Sequence, residues 1–195
     1  MWQEQARHCP LCGARLIEAE IGGRPRRRCE RCSFVLYKNP ASAALGVVFN
    51  AGGELLFVRR TLQPFAGTWS LPAGYQEIDE DARETVVREV REETGVEIEV
   101  EGLLDLVFVA DDPRKPANVA VFLCRAVGGE ARPGDEESAV DWFPLDALPE
   151  EIGFDNYPRI LARLLDPEGY PRAFEDLRRR LLDVAPPERP EDAQP

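Results

Sequence analysis

The chain has 195 residues, 44% of them hydrophobic, which suits one main domain plus a small module and excludes wholesale disorder. Its formal net charge of −12 would repel a phosphate backbone, so extended nucleic-acid binding is disfavoured. No apolar run approaches the length of a membrane span and nothing at the N-terminus resembles a signal peptide, so a cytoplasmic location is expected.

The first element is a pair of short knuckles. Cys9-Pro-Leu-Cys12 is followed after sixteen residues by Cys29-Glu-Arg-Cys32. Paired CxxC motifs at this separation read as a four-thiolate zinc site, with Cys9, Cys12, Cys29 and Cys32 as the ligands. The segment, residues 1–38, is too small for a core of its own, and zinc would supply the missing cohesion. A disulfide pair is the alternative, disfavoured in a cytosolic chain. His8 adjoins Cys9, but four thiols already complete the site. RPRRRCER (24–31) is locally basic. It suits scaffolding or a dimer contact, or contact with one nucleotide or phosphate.

Residues 44–60, ALGVVFN-AGG-ELLFVRR, predict two strands joined by a Gly-containing turn. Arg59 and Arg60 end the second strand, placed either to meet substrate phosphates or to face solvent. FAGTWSLPAG (65–74) follows. Its Trp69 either stacks on a base or is buried. Asp81 with Glu84 forms a capping-box start and Gly95 a stop for a helix. Ala82, Val86, Val87 and Val90 make its apolar stripe, with Glu89 and Glu93 at the edge and Glu92 further toward solvent. Segments 103–110 and 119–127 predict strands. The polar loop between them (111–118), which contains Pro113, is a candidate substrate rim. Segment 139–148 predicts a strand turning into a short helix, and 156–165 a helix. Residues 172–184 predict a final amphipathic helix and 185–195 a disordered acidic, Pro-rich tail. Cys124 lies in an apolar strand and reads as a buried, inert thiol. Strands and helices mix as in a sheet packed between helices, an α/β fold.

Glu89 and Glu93 are like charges at i, i+4, which cost a helix roughly 0.2–0.5 kcal/mol. Half-burying them against a sheet costs more unless a cation intervenes, and Mg²⁺ works with carboxylates plus substrate phosphates. A solvated acidic helix face is the alternative. The spacing decides between them. Gly74, Glu80, Arg88, Glu89, Val90, Glu92, Glu93, Gly95 and Val96 fill every fixed position of a 23-residue pattern, residues 74–96. That pattern resembles the signature of the Nudix hydrolases.

The resemblance implies an α/β/α sandwich with a mixed sheet over residues 39–165. It also implies Mg²⁺- or Mn²⁺-dependent hydrolysis of a nucleoside diphosphate linked to another group. By position it makes Glu89, Glu92, Glu93 and the Ala73 carbonyl metal ligands, Arg88 the orienting cation, and Glu80 a support of the loop. The general base is not fixed by the signature. Glu136 and Glu137 are the candidates, with a solvated acidic turn as the alternative.

Ribbon, YKNP (37–40) and signature together resemble the zinc-ribbon Nudix enzymes, which include NADH, FAD and ADP-ribose pyrophosphatases. The Ser-Gln-Pro-Trp-Pro-Phe-Pro-type motif of the NADH enzymes is absent after the signature, where EIEVEGLLDLVFVADD stands. Ala73-Gly74 and Pro113 instead resemble ADP-ribose pyrophosphatases. The expected partners are a small nucleotide substrate and a second copy in a homodimer, with no membrane. Two further readings are a nucleotide-sensing module that binds without cleaving, and a zinc-ribbon RNA binder that removes NAD caps.

Overall fold

The computed structural model describes residues 2–110, 115–154 and Ile160. The predicted helix 172–184, the tail 185–195 and Pro113 lie outside the described residues, as does all of 156–165 except Ile160. No described helix is long and apolar enough to cross a membrane.

The N-terminal module starts with a short helix, α1 (Trp2–Gln5). Three antiparallel strands follow in the order β1 (Leu16–Ile21), β2 (Arg24–Cys29), β3 (Val35–Leu36). Cys9, Leu16, Cys29 and Leu36 form its small buried cluster. Four residues are little apolar burial for a free-standing unit, so most of the cohesion has to come from elsewhere.

The main sheet runs β10-β5-β4-β9-β8, with β6 added on β5 and β7 on β4. Its strands are β4 (Ala41–Phe49), β5 (Leu55–Arg60), β6 (Trp69–Ser70), β7 (Ala73–Tyr75), β8 (Val96–Val109), β9 (Ala117–Gly129) and β10 (Glu137–Phe143). The β4–β9 pair is parallel and the other strand pairs described are antiparallel, so the sheet is mixed as expected. The predicted hairpin is present, but β4 and β5 pair only where Phe49 meets Leu55. Beyond that point they part, β4 taking β7 and β5 taking β6. The opening between them is where the site lies.

Both faces of β4 are buried, so it reads as a continuous apolar run. One face packs Leu45, Val47, Phe57, Leu71, Val121 and Ile160. The other packs Ala44, Val48, Leu56 and Phe122 under helix α2 (Ala82–Thr94), through Val86 and Val90. Gly46 permits this close packing, since a Cβ there would lie 3.0 Å from a Val90 methyl.

Three local expectations change. Val87 is 40% exposed, and Thr85 takes the buried place beside Val86. Thr85 can be buried because its hydroxyl is satisfied, donating at 2.9 Å to Glu80 Oε2 or to the Asp81 carbonyl. Strand β8 begins at Val96, directly after the helix stop, rather than at 103. The short helix expected before residue 148 is a turn, with Ala147 N–H donating to the Pro144 carbonyl at 3.0 Å. Prolines at 144 and 149 bracket too few residues for more.

Candidate active site

Helix α2 holds the acidic groups, and its ends are fixed from the sequence upward. The Asp81 carboxylate accepts from the N–H of Arg83 and Glu84, and the Glu84 carboxylate accepts from the Asp81 N–H at 2.8 Å. Gly95 ends the helix at φ 71°, its N–H donating to the Arg91 carbonyl. Between these caps Arg88 is the hub. Its guanidinium donates to both Glu80 oxygens, to Glu89 Oε1 at 2.8 Å, to Glu92 Oε2 at 3.0 Å and to the Tyr75 carbonyl at 3.0 Å. The Arg88 hydrogen bonds hold the Glu80 carboxyl down to about 2.

Glu89 fits beneath β7 because residue 74 is glycine: a Cβ there would overlap its carboxylate. Glu93 is deeper. Its Oε2 accepts the Ala73 N–H at 3.0 Å, so Ala73 meets the glutamates through its amide. Burial, then the charge of Glu137, push the Glu93 carboxyl well above its usual range. Burial also raises Glu89, against the opposing effect of Arg88.

The loop before β10 closes the site from the far side. Arg132 and Gly134 N–H groups donate to the Thr94 and Glu93 carbonyls at 2.8 and 2.9 Å. Gly134 lies so near the helix that a Cβ would meet the Glu92 carbonyl. The Glu136 carbonyl accepts from the Thr61 N–H at 3.1 Å. The strap thus anchored brings Glu137 toward Glu93, and burial, then the Glu136 charge, push the Glu137 carboxyl up to about 7.

These groups line a cavity of about 820 Å³ together with Arg60, Tyr75 and Lys115. Of the sequence-predicted residues, Arg60, Ala73, Arg88, Glu89, Glu92, Glu93, Glu136 and Glu137 are on its walls. Arg59 and Trp69 are not. The Arg59 guanidinium donates to the Gly67 carbonyl at 2.9 Å, and Trp69 packs edge-on against Phe143 at 5.0 Å.

The sequence reading missed Tyr75, Lys115 and Phe154. The Lys115 ammonium lies 3.2 Å from the Tyr75 ring centroid, and the Arg60 guanidinium 5.2 Å from that of Phe154. Lys115 was within reach, as a cation in the predicted rim. Phe154 had no signal, because it arrives through a bridge between Ile152 and Trp69.

The residues fit a hard divalent cation. The donor set is oxygen, Glu93 is half-buried with one hydrogen bond from the described residues, and like charges crowd it. Without a cation that crowding opposes the fold. A raised carboxyl means the folded state binds its proton more tightly, so its stability falls as pH climbs from about 4.5 through about 7. Metal-free protein is therefore expected to melt at a lower temperature at pH 8 than at pH 5.5, and millimolar Mg²⁺ to remove the difference. Thermal melts with and without chelator check it.

The second cluster fits zinc. The Sγ atoms of Cys9, Cys12, Cys29 and Cys32 all lie within 4.8 Å of one another, and no disulfide joins them. Cys9–Cys32, Cys12–Cys29 and Cys12–Cys32 are 3.6, 3.4 and 3.7 Å apart. A tetrahedron with Zn–S of about 2.3 Å requires about 3.8 Å. The N–H groups of Arg31 and Cys32 donate to Cys29 Sγ at 3.3 and 3.4 Å.

A mixed sheet splayed over a glycine-cradled acidic helix, with Arg60 and Lys115 in the same cavity, is an arrangement suited to a bound phosphate anhydride. The NUDIX domain profile matches residues 39–164, and the chain belongs to the Nudix hydrolase family. It is 37% identical over 124 residues to an ADP-ribose pyrophosphatase of Methanocaldococcus jannaschii, covering 63% of this chain and 72% of that protein. It is 31% identical over 150 residues to the NAD-capped RNA hydrolase NudC of Pseudomonas aeruginosa, covering 76% of this chain and 51% of that one. The chain thus spans about half the length of that relative. A solved NUDIX hydrolase from Nitrosomonas europaea superposes with a TM-score of 0.73 at 25% identity, over 82% of this chain and 90% of that chain.

Proposed function

We propose that this chain hydrolyses the pyrophosphate of ADP-ribose, or of a dinucleotide of the NADH or FAD type, to AMP and the other phosphate half. The observation that carries the reading is the convergence of Glu89, Glu93 and Glu137 in one cavity that also holds Arg60 and Lys115. Acids alone would bind metal, and cations alone an anion. Both together suit a phosphate anhydride bound through metal.

Glu89, Glu92, Glu93 and the Ala73 carbonyl would hold Mg²⁺ or Mn²⁺. Such an ion neutralises phosphate charge and acidifies water when bound. Arg60, the cross-strand partner of Glu137, and Lys115 hold the phosphate oxygens. Arg88 fixes the Glu89 and Glu92 carboxylates, so little reorganisation is needed when substrate enters. Glu137 takes the proton of the attacking water as its oxygen bonds to one phosphorus and the bridging P–O bond breaks. A carboxyl lifted to about 7 suits that transfer. Glu136 has its carbonyl tied to Thr61 and serves as the anchor of the strap. Zinc on the four cysteines is structural, and a cytoplasmic homodimer is the expected working form.

Purified protein with Mg²⁺ is offered ADP-ribose, NADH, NAD and FAD, with products separated by chromatography. AMP from one or two of them supports the reading and names the substrate. No cleavage by folded protein would move the assignment first to another nucleotide substrate and then to a sensing module. In the same assay Glu137→Gln should lower kcat by about a hundredfold or more, and Glu136→Gln by less than about threefold. The reverse order would move the base to Glu136.

A further inference from the structure

The hydrolytic site leaves the basic ribbon without a role. Residues 1–38 hold eight Lys or Arg against four Glu, while the rest of the chain holds sixteen against thirty-two Asp or Glu. The overall −12 is thus a ribbon at +4 joined to a body at −16. At an ionic strength of 0.1 M charges more than about 10 Å away are largely screened, so the local sign governs contact.

The strand register sorts the ribbon charges by face. Arg24, Arg26 and Arg28 pair with Ile21, Ala19 and Ile17. Alternation puts these six on one face of the sheet. Glu18 and Glu20 pair with Arg27 and Pro25, on the opposite face. That second face also carries Leu16, Cys29 and Leu36, the side of the cysteine cluster. Arg27 is used there, donating to the Ala6 carbonyl. The first face therefore carries a row of three arginines with no carboxylate at any paired position. Along the strand they recur about every 6.8 Å.

Tyr37 adjoins this row. Tyr37 is 53% exposed, and the Arg26 guanidinium lies over one face of its ring, 4.5 Å from the centroid. Arg24 and Arg28 are exposed as well. A row of cations beside an aromatic surface is the physical form of a single-strand nucleic-acid platform, where phosphates meet the cations and a base meets the ring. An acidic peptide would use the arginines and leave the ring idle.

We infer that this face of the ribbon binds a single strand of nucleic acid, with phosphates on Arg24, Arg26 and Arg28 and a base on Tyr37. The inference stands apart from the hydrolytic reading, because binding is measured without turnover.

The test is fluorescence anisotropy with the full zinc-loaded chain and a labelled, mixed-sequence RNA of about 20 nucleotides, with DNA of the same sequence alongside. Three phosphate contacts predict that log K falls with log salt at a slope of about −2. Arg24→Ala with Arg28→Ala should weaken binding tenfold or more and flatten the slope to about −0.7. Zinc content and hydrolysis of free nucleotide should stay as in the parent. Tyr37→Ala should weaken binding about fivefold or more with the slope unchanged. The inference is overturned by no binding of either strand at low salt, or by affinity and slope that ignore the arginine pair. It is overturned too if polyglutamate displaces the RNA at equal charge concentration and Tyr37→Ala has no effect, which assigns the face to an acidic protein.

Discussion

Glu93→Gln is expected to leave a folded protein whose kcat is lower by about a thousandfold, with KM changed far less. The side chain sits at the meeting point of the helix, the Ala73 amide and the Glu137 strap. Gln keeps its volume and its ability to accept the Ala73 N–H through the amide oxygen, so packing is preserved. It removes the charge that a cation needs. The metal-free variant should also melt higher than the parent at pH 8, since the parent holds a half-buried carboxylate repelled by Glu137. Loss of turnover together with a gain in metal-free stability is a signature that misfolding cannot produce. Steady-state rates and melts in chelator read both. A variant within tenfold of the parent would remove Glu93 from the metal site.

The second large effect belongs to the ribbon. Structural zinc contributes on the order of 10–16 kcal/mol to small folds of this kind. The buried cluster of Cys9, Leu16, Cys29 and Leu36 is too small to replace that. Cys29→Ser should therefore bring bound zinc well below one per chain and unfold residues 7–36. Cys29 is the most informative ligand to change, because its sulfur also accepts the N–H groups of Arg31 and Cys32. Helix α2 and the main sheet have their own two-faced core, so the catalytic domain should stay folded. Elemental analysis reads the zinc, and amide hydrogen exchange reads which residues lose protection. Exchange unchanged across 7–36 in zinc-free protein would show that the ribbon folds by itself.

How much of this was legible in advance follows from how local each feature is. The helix was legible to the residue, because Asp81, Glu84 and Gly95 act within one turn of the backbone they cap. The edge positions of Glu89 and Glu93, and the more exposed place of Glu92, followed from helical angle alone. Val87 was misread because a polar Thr85, satisfied by Glu80 and Asp81, took the buried place beside Val86. The start of β8 was misread because Glu97, Glu99 and Glu101 hide an alternating strand inside an acidic run. Trp69 had two readings, and the structure packs it on Phe143 away from the cavity.

The sequence by itself determined the features carried by short spacing: the capped acidic helix, the two cysteine knuckles and the 23-residue signature that carries the family. Covalent geometry fixes such relations within a few residues, so a pattern is enough to read them. Only the tertiary structure decided which residues from distant segments face the glutamates. It separated Arg60 from Arg59 by strand alternation, brought Lys115 to Tyr75, and tied the 132–137 strap to the end of α2. It also sorted the ribbon arginines from the glutamates by face. Each of these depends on strand register and on the parting of β4 from β5, which are set by the packing of the whole sheet.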